Sequence, residues 1–144
     1  MQIKIKRLDK SLPLPSYHTA GSAAFDFYAR TEIKILPKEI ARIPSNLIIG
    51  TPKGHVLTIA ARSSLASKKG LILANGIGTI DSDYCGPEDE ILISVYNFSD
   101  KEVIVEKGER IAQGMFIKIE QGEFEDADEV ASVSRGGFGS TGNK

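Results

Sequence analysis

An all-β fold, a β-sandwich or jelly roll, is predicted by three features of the sequence. Short β-branched runs alternate with polar residues, and Gly, Pro, Asn or Ser separates them at close intervals. Helical patterning is confined to a single stretch of eight residues. Many short strands with frequent turn signals are what a chain needs to close two sheets over one core.

The elements follow in order. QIKIK (2–6) alternates Ile with Gln or Lys, and EIKIL (32–36) repeats the pattern. EIARI (39–43), NLIIG (46–50) and HVLTIAA (55–61) read as further strands. SSLASKKG (63–70) is the helical candidate, with Ser63 or Ser64 at its cap and Gly70 at its end. LANGIGTI (73–80) carries Asn75-Gly76 and Ile77-Gly78 between apolar residues, a hairpin signal. EILISVYN (90–97) sets Ile91, Ile93 and Val95 on one face, and EVIVEKGERIAQGMFIKIE (102–120) reads as two strands around a Lys107-Gly108 turn. From Glu120 the composition turns acidic, and Glu123 to Glu129 is expected to be exposed. One domain over 1–133 and a mobile glycine-rich arm over 134–144 are the expected organisation.

The 144 residues suffice for one substantial core, and a formal net charge of −1 gives no whole-molecule reason to bind nucleic acid or membrane. The lone cysteine, Cys85, excludes an intrachain disulfide framework and suits a reducing compartment. No apolar run reaches the length of a membrane span, and MQIKIKRLDK has no apolar signal-peptide segment. A cytoplasmic protein is the expectation.

Four stretches carry possible chemistry. In AGSAAFDFYA (20–29), Asp26 lies between two phenylalanines, which by itself reads as a solvent-facing strand carboxylate. Arg62 and Ser63 stand where the helix would begin, equally an anion site or a plain cap beside a surface arginine. In LANGIGTIDSDYCG (73–86), Asp81 and Asp83 are two residues apart, so on a strand they would share a face and one ligand. They also suit an ordinary Asx turn. The stretch RGGFGSTGNK (135–144) holds glycines, hydroxyls and a cation, the parts of a phosphate-cradling loop, but no helix follows it.

Together these stretches resemble the trimeric dUTP diphosphatase (dUTPase) family. The resemblance runs through AGSAAFDFYA, ARSSLASKKG, NGIGTIDSDYCG, KGERIAQGMF and RGGFGSTG, in that order along nearly the whole chain. It implies a jelly-roll homotrimer with active sites between subunits, each closed by the C-terminal arm of a neighbour. The implied reaction is hydrolysis of dUTP to dUMP and pyrophosphate with magnesium (Mg2+), which keeps uracil out of DNA and supplies dUMP for thymidylate synthesis. By the same resemblance, Asp81 activates the attacking water and Tyr84 packs under the deoxyribose. Asn75 and the backbone of Gly78, Thr79 and Ile80 read the uracil. Arg62, Ser63, Ser64 and Gln113 meet the phosphates, and Asp26 holds the magnesium through water. Phe138 stacks on the uracil, while Arg135, Gly139, Ser140 and Thr141 meet the outer phosphates.

The sequence departs from the family pattern in three places. RGGF is two residues shorter than the usual spacing between the tail arginine and phenylalanine. CGPEDEILISVYN after Tyr84 is about three residues longer than usual, which implies a wider loop beside the site. Ala24 replaces a usual glycine, so a positive φ there would be strained. His18 and His55 match no catalytic role and read as surface or structural residues, and Cys85 has no histidine nearby to activate it. Two rival readings are a dCTP deaminase-like enzyme and a non-catalytic dUTP-binding regulatory protein. The first needs a glutamate where the chain has Ser94; the second predicts a lost Asp81 or a missing arm, and neither is seen.

Overall fold

Among residues 1–136, which a computed structural model describes, the chain forms eleven antiparallel strands and one short helix. The strands are β1 (Lys4–Arg7), β2 (Phe25–Tyr28), β3 (Ile33–Ile35), β4 (Ile40–Pro44), β5 (Leu47–Gly50) and β6 (His55–Ala61). After the helix α1 (Leu65–Lys69) come β7 (Leu71–Leu73), β8 (Gly78–Ile80), β9 (Leu92–Asn97), β10 (Val103–Val105) and β11 (Arg110–Lys118). They form a four-stranded sheet β2-β11-β6-β8, a three-stranded sheet β4-β9-β7, and the pairs β1-β5 and β10-β3. The expected strands are thus present, and LIL (71–73), whose apolar run has no alternation to mark it, is a further one.

Alternation decides what is buried. In β9, Ile93, Val95 and Asn97 face inward, and Ile91 precedes them in the same phase. In β6, Leu57 and Ile59 do the same. These side chains join Phe25, Phe27, Ile35, Ile43, Ile49 and Val105 in one core. Asn97 is fully buried, and its amide donates to the carbonyls of Ile35, Leu36 and Lys101 at 2.7 to 3.1 Å, which ties the end of β9 to the end of β3 and to the β9–β10 connection.

The expected hairpin around Asn75-Gly76 is not one. β7 pairs with β9 in the three-stranded sheet, whereas β8 pairs with β6 in the four-stranded sheet. The turn, with Gly76 at φ +72° and Ile77 N–H donating to Asn75 O at 2.8 Å, carries the chain from one layer to the other. The close backbone approach is real: a Cβ on Gly78 would lie 2.9 Å from Ile59 Cβ. Burial against β6 therefore overrides the local turn signal.

Gly70 ends α1 in the left-handed conformation at φ +66°, as its sequence position predicts. Ser64 occupies the N-cap, but its side chain makes no capping bond, so the helix depends on packing of Leu65. Ala24 is not among the residues with positive φ, and the feared strain is absent there. Residues 120–136 form no helix or strand, and the acidic stretch 123–129 is exposed. No helix among the described residues is long and apolar enough to cross a membrane.

Gly114 in β11 sits under two core rings: an added Cβ would come within 2.6 Å of Phe27 Cε2 and 2.8 Å of Phe25 Cζ. Gly114→Ala is expected to lose about 1–3 kcal/mol of stability through overpacking. A urea unfolding curve would show this as a lower midpoint at unchanged slope.

Candidate active site

One side of the site grows from the centre of the four-stranded sheet. Asp26 on β2 lies opposite Gln113 on β11, which lies opposite Ala60 on β6. The next β2 residue on that face, Tyr28, lies opposite Arg110. Gln113 and Arg110 are three apart, so plain alternation would send them to opposite faces. A bulge between Arg110 and Ala112 absorbs one residue and brings both to the face of Asp26.

Asp26 is therefore not the solvent-facing carboxylate that its sequence neighbours suggest. It is 7% exposed, and its oxygens hold three partners. Oδ1 accepts from Arg62 Nε at 3.1 Å; Oδ2 lies 3.2 Å from Arg110 Nη1 and 2.9 Å from His18 Nε2. Arg110 Nη1 is also 2.8 Å from that imidazole nitrogen. The nitrogen has one role at a time: it accepts from Arg110 when bare and donates to Asp26 when it carries hydrogen. Burial of a lone carboxylate would be costly, and the two guanidinium groups offset that cost while remaining partly open to solvent. His18, read from sequence as surface or structural, thus belongs to this constellation.

These groups border a cavity of about 390 Å³ lined by His18, Asp26, Arg62, Ser63, Gln113 and Met115, among others. Gln113 is fixed by donating Nε2–H to Ala61 O at 3.1 Å. An adjoining cavity of about 430 Å³ includes Arg62, Ser64, Lys68, Lys69 and Arg110. The positive charge comes from these side chains, since a helix of five residues has little dipole to add. Cationic forks beside a hydroxyl and an amide are suited to phosphate oxygens.

The other side of the site stands elsewhere. Asp81 and Asp83 do not share a strand face; they follow β8 in a turn where Tyr84 N–H donates to Asp81 O at 3.3 Å and Cys85 N–H to Asp83 O at 2.9 Å. Both nevertheless line one cavity of about 610 Å³ with Lys53, His55, Ser82 and Gln121. Asn75 and Gly78 border a narrow cleft with Ile59, Leu73 and Ser94. Thr79 is exposed and Ile80 half-buried, opposite Thr58 and Leu57. Cys85 is free and exposed. Arg135 is exposed, and Phe138, Gly139, Ser140 and Thr141 lie outside the described residues.

The register measures the gap between the two sides. Ile80 pairs with Leu57, so Asp81 stands level with Val56, whereas Arg62 follows the opposite end of β6. Six residues of extended chain span about 20 Å. Within one chain the Asp81 turn therefore stands about 13 Å along β6 from the position of Gln113 and about 20 Å from that of Arg62.

A chain with this sheet arrangement and these residues can be compared with known proteins. A family model described as dUTPase matches residues 10–142. The chain belongs to the dUTPase family. Among curated relatives, a deoxyuridine 5'-triphosphate nucleotidohydrolase of Desulfitobacterium hafniense is 46% identical over 97% of each chain, and one of Hydrogenobaculum is 40% identical over the full length of both. Among solved dUTPases, that of Streptococcus mutans matches with a TM-score of 0.76 at 30% identity, over 83% of this chain and 98% of its own. The dUTPase of Staphylococcus bacteriophage 80alpha, solved with dUPNHPP, matches with a TM-score of 0.85 at 26% identity over 98% of each chain.

Two residues of this dUTPase chain escaped the sequence reading. Arg110 lay hidden because the bulge inverts its face, and His18 because it is eight residues from Asp26 across a loop. Among the described residues no group of three or more His, Cys, Asp or Glu could cage a metal ion.

Asp26→Asn removes the counter-charge of Arg62 and Arg110 and is expected to lower stability by about 1–3 kcal/mol, given that both arginines are partly hydrated. The melting midpoint should fall by several degrees in a circular dichroism scan. An unchanged midpoint would mean that water, not the carboxylate, holds the two guanidinium groups.

Proposed function

We propose that this dUTPase hydrolyses dUTP to dUMP and pyrophosphate at a site assembled from more than one copy of the chain, in the manner of a homotrimer. The observation that carries the reading is the separation along β6 between the Asp81 turn and the phosphate-facing residues, about 13 Å to the position of Gln113 and about 20 Å to that of Arg62. A second copy that lays its Asp81 turn beside this chain's cationic cavity would complete the site.

In the assembled site the triphosphate lies against Arg62, Ser63, Ser64 and Gln113, which neutralise charge and hold the α-phosphorus in line with a water molecule. Asp81 from the neighbouring copy takes a proton from that water as its oxygen bonds to the α-phosphorus. The bond from the α-phosphorus to the bridging oxygen breaks, and pyrophosphate leaves. The uracil lies along the β8 edge beside Asn75 and Gly78, where backbone groups of Thr79 and Ile80 pair with its edge. A cytosine would leave those groups unpaired once the bound base covers them, at a cost of about 1–3 kcal/mol. Tyr84 lies against the deoxyribose and excludes a 2′-hydroxyl. Ser94, where a deaminase would need a carboxylate, lines the same cleft with only a hydroxyl to offer.

The donor set suits magnesium that arrives on the substrate. A single carboxylate already held by two arginines cannot ligate the ion alone, and magnesium keeps its waters and prefers phosphate oxygens. Asp26 would touch that water shell, and the ion would supply neutralisation of charge on the triphosphate. The arm from residue 134, with Arg135, Phe138, Gly139, Ser140 and Thr141, is assigned to closing the site of a neighbour and stacking on the uracil.

Asp81→Asn is expected to slow pyrophosphate release from dUTP by about 10²–10⁴-fold without a change in melting midpoint, the range for loss of a general base. Retained turnover would remove Asp81 from the chemistry. Asp81→Asn and Arg62→Ala chains, each inactive alone, should regain activity when refolded together. Random assembly leaves about a quarter of intersubunit sites with both residues intact, one half times one half. No recovery from mixed oligomers would place the whole site within one chain.

A further inference from the structure

The loop that carries Asp81 and Tyr84 runs from the end of β8 to Glu90, and its return is anchored by groups that the reaction itself does not use. Glu90 closes the loop, and its carboxylate has a side-chain exposure of only 12%. Arg30, just past β2, meets it with a two-point fork: Nε to Oε1 and Nη2 to Oε2, both 2.8 Å. Asn46 N–H donates to the same Oε1 at 2.8 Å. Asn46 is itself buried and held at φ +71°, a conformation that few side chains adopt, and its amide clasps the backbone of Asp9. On the other side of Glu90, its carbonyl accepts the Tyr84 hydroxyl at 3.3 Å. The Glu90 fork keeps Arg30 more firmly protonated than usual, against the opposing effect of burial.

One residue therefore ties the end of β2, the β4–β5 turn and the ring of Tyr84 to a single point. We propose that Arg30 and Glu90 are positioning residues: their ion pair fixes where the 81–90 loop returns and so where Tyr84 stands against the sugar of the substrate. The inference rests on the contact between Tyr84 and deoxyribose proposed above. The pair acts through Tyr84 and touches no reacting atom. A planar guanidinium is required, because an ammonium at the same place offers one point of contact and lets the carboxylate rotate. The residues Gly86 to Asp89 between Tyr84 and Glu90 form a turn closed by Gly86 N–H on Asp89 Oδ2 at 2.6 Å, so movement of Glu90 is passed along a stiff segment.

The test compares the full-length chain with Arg30→Lys and Glu90→Gln in two measurements. Hydrogen exchange is followed for peptides covering 81–90 and 55–61, and pyrophosphate release is measured with dUTP and with UTP. We expect exchange in 81–90 to rise about tenfold in both variants while 55–61 stays protected. We expect the preference for dUTP over UTP to fall about five- to tenfold, with kcat on dUTP changed less than the preference. A purely structural role would lower the folded fraction and leave the preference unchanged, which would overturn the proposal. Unchanged exchange in 81–90 would overturn it as well. Should one variant fail to fold, the other decides by the same two readings. If the wild-type chain leaves dUTP intact, the functional reading fails separately, and the exchange measurement still upholds or overturns the anchoring.

Discussion

The pairing of β6 with β11 is the constraint on which the rest of the molecule depends. Seven residue pairs, from Ala112 with Ala61 to Lys118 with His55, lock the two longest strands in a single register. A slip by one residue would turn Leu57 and Ile59 out of the core and put polar side chains in their place. The same register sets the chemistry, because β6 delivers Arg62 at one end and the β8 turn with Asp81 stands at the other. The distance between these two sets of residues within one chain is thus a consequence of strand length.

Electrostatics divides in the same way. Around Asp26 the arginines outnumber the carboxylates, and a negative triphosphate meets positive charge already oriented by hydrogen bonds. Around Asp81 the side chains are exposed and the carboxylates are free of arginine partners among the described residues. Anion binding and water activation have opposite charge requirements, and within one chain the fold keeps the two sets of residues apart; the proposed assembly would join them. The partly buried Arg30–Glu90 pair is a third arrangement, in which charge is proposed to fix a loop instead of meeting a ligand.

Much of this was legible in the sequence. Alternation at 90–97 and 102–120 marks β9, β10 and β11, and Gly70 marks the end of α1 because these are local rules with a period or a φ angle behind them. The hairpin at Asn75-Gly76 failed, since the turn signal is local while the choice of partner strand depends on burial across the whole core. Asp26 was misjudged for the same reason: its neighbours in sequence are two phenylalanines, but its neighbours in space are two arginines and a histidine.

By itself the sequence determined the all-β class, the order of the elements, the family, and the residue types available for phosphate and water. Those follow from periodicity, turn chemistry and motif order, which are properties of adjacent residues. Tertiary structure alone decided that Arg110 shares a face with Gln113, that Arg30 grips Glu90 from sixty residues away, and that Asp81 lies out of reach of Arg62. A bulge, a long-range ion pair and a strand length each depend on which segments meet, and no local pattern encodes that.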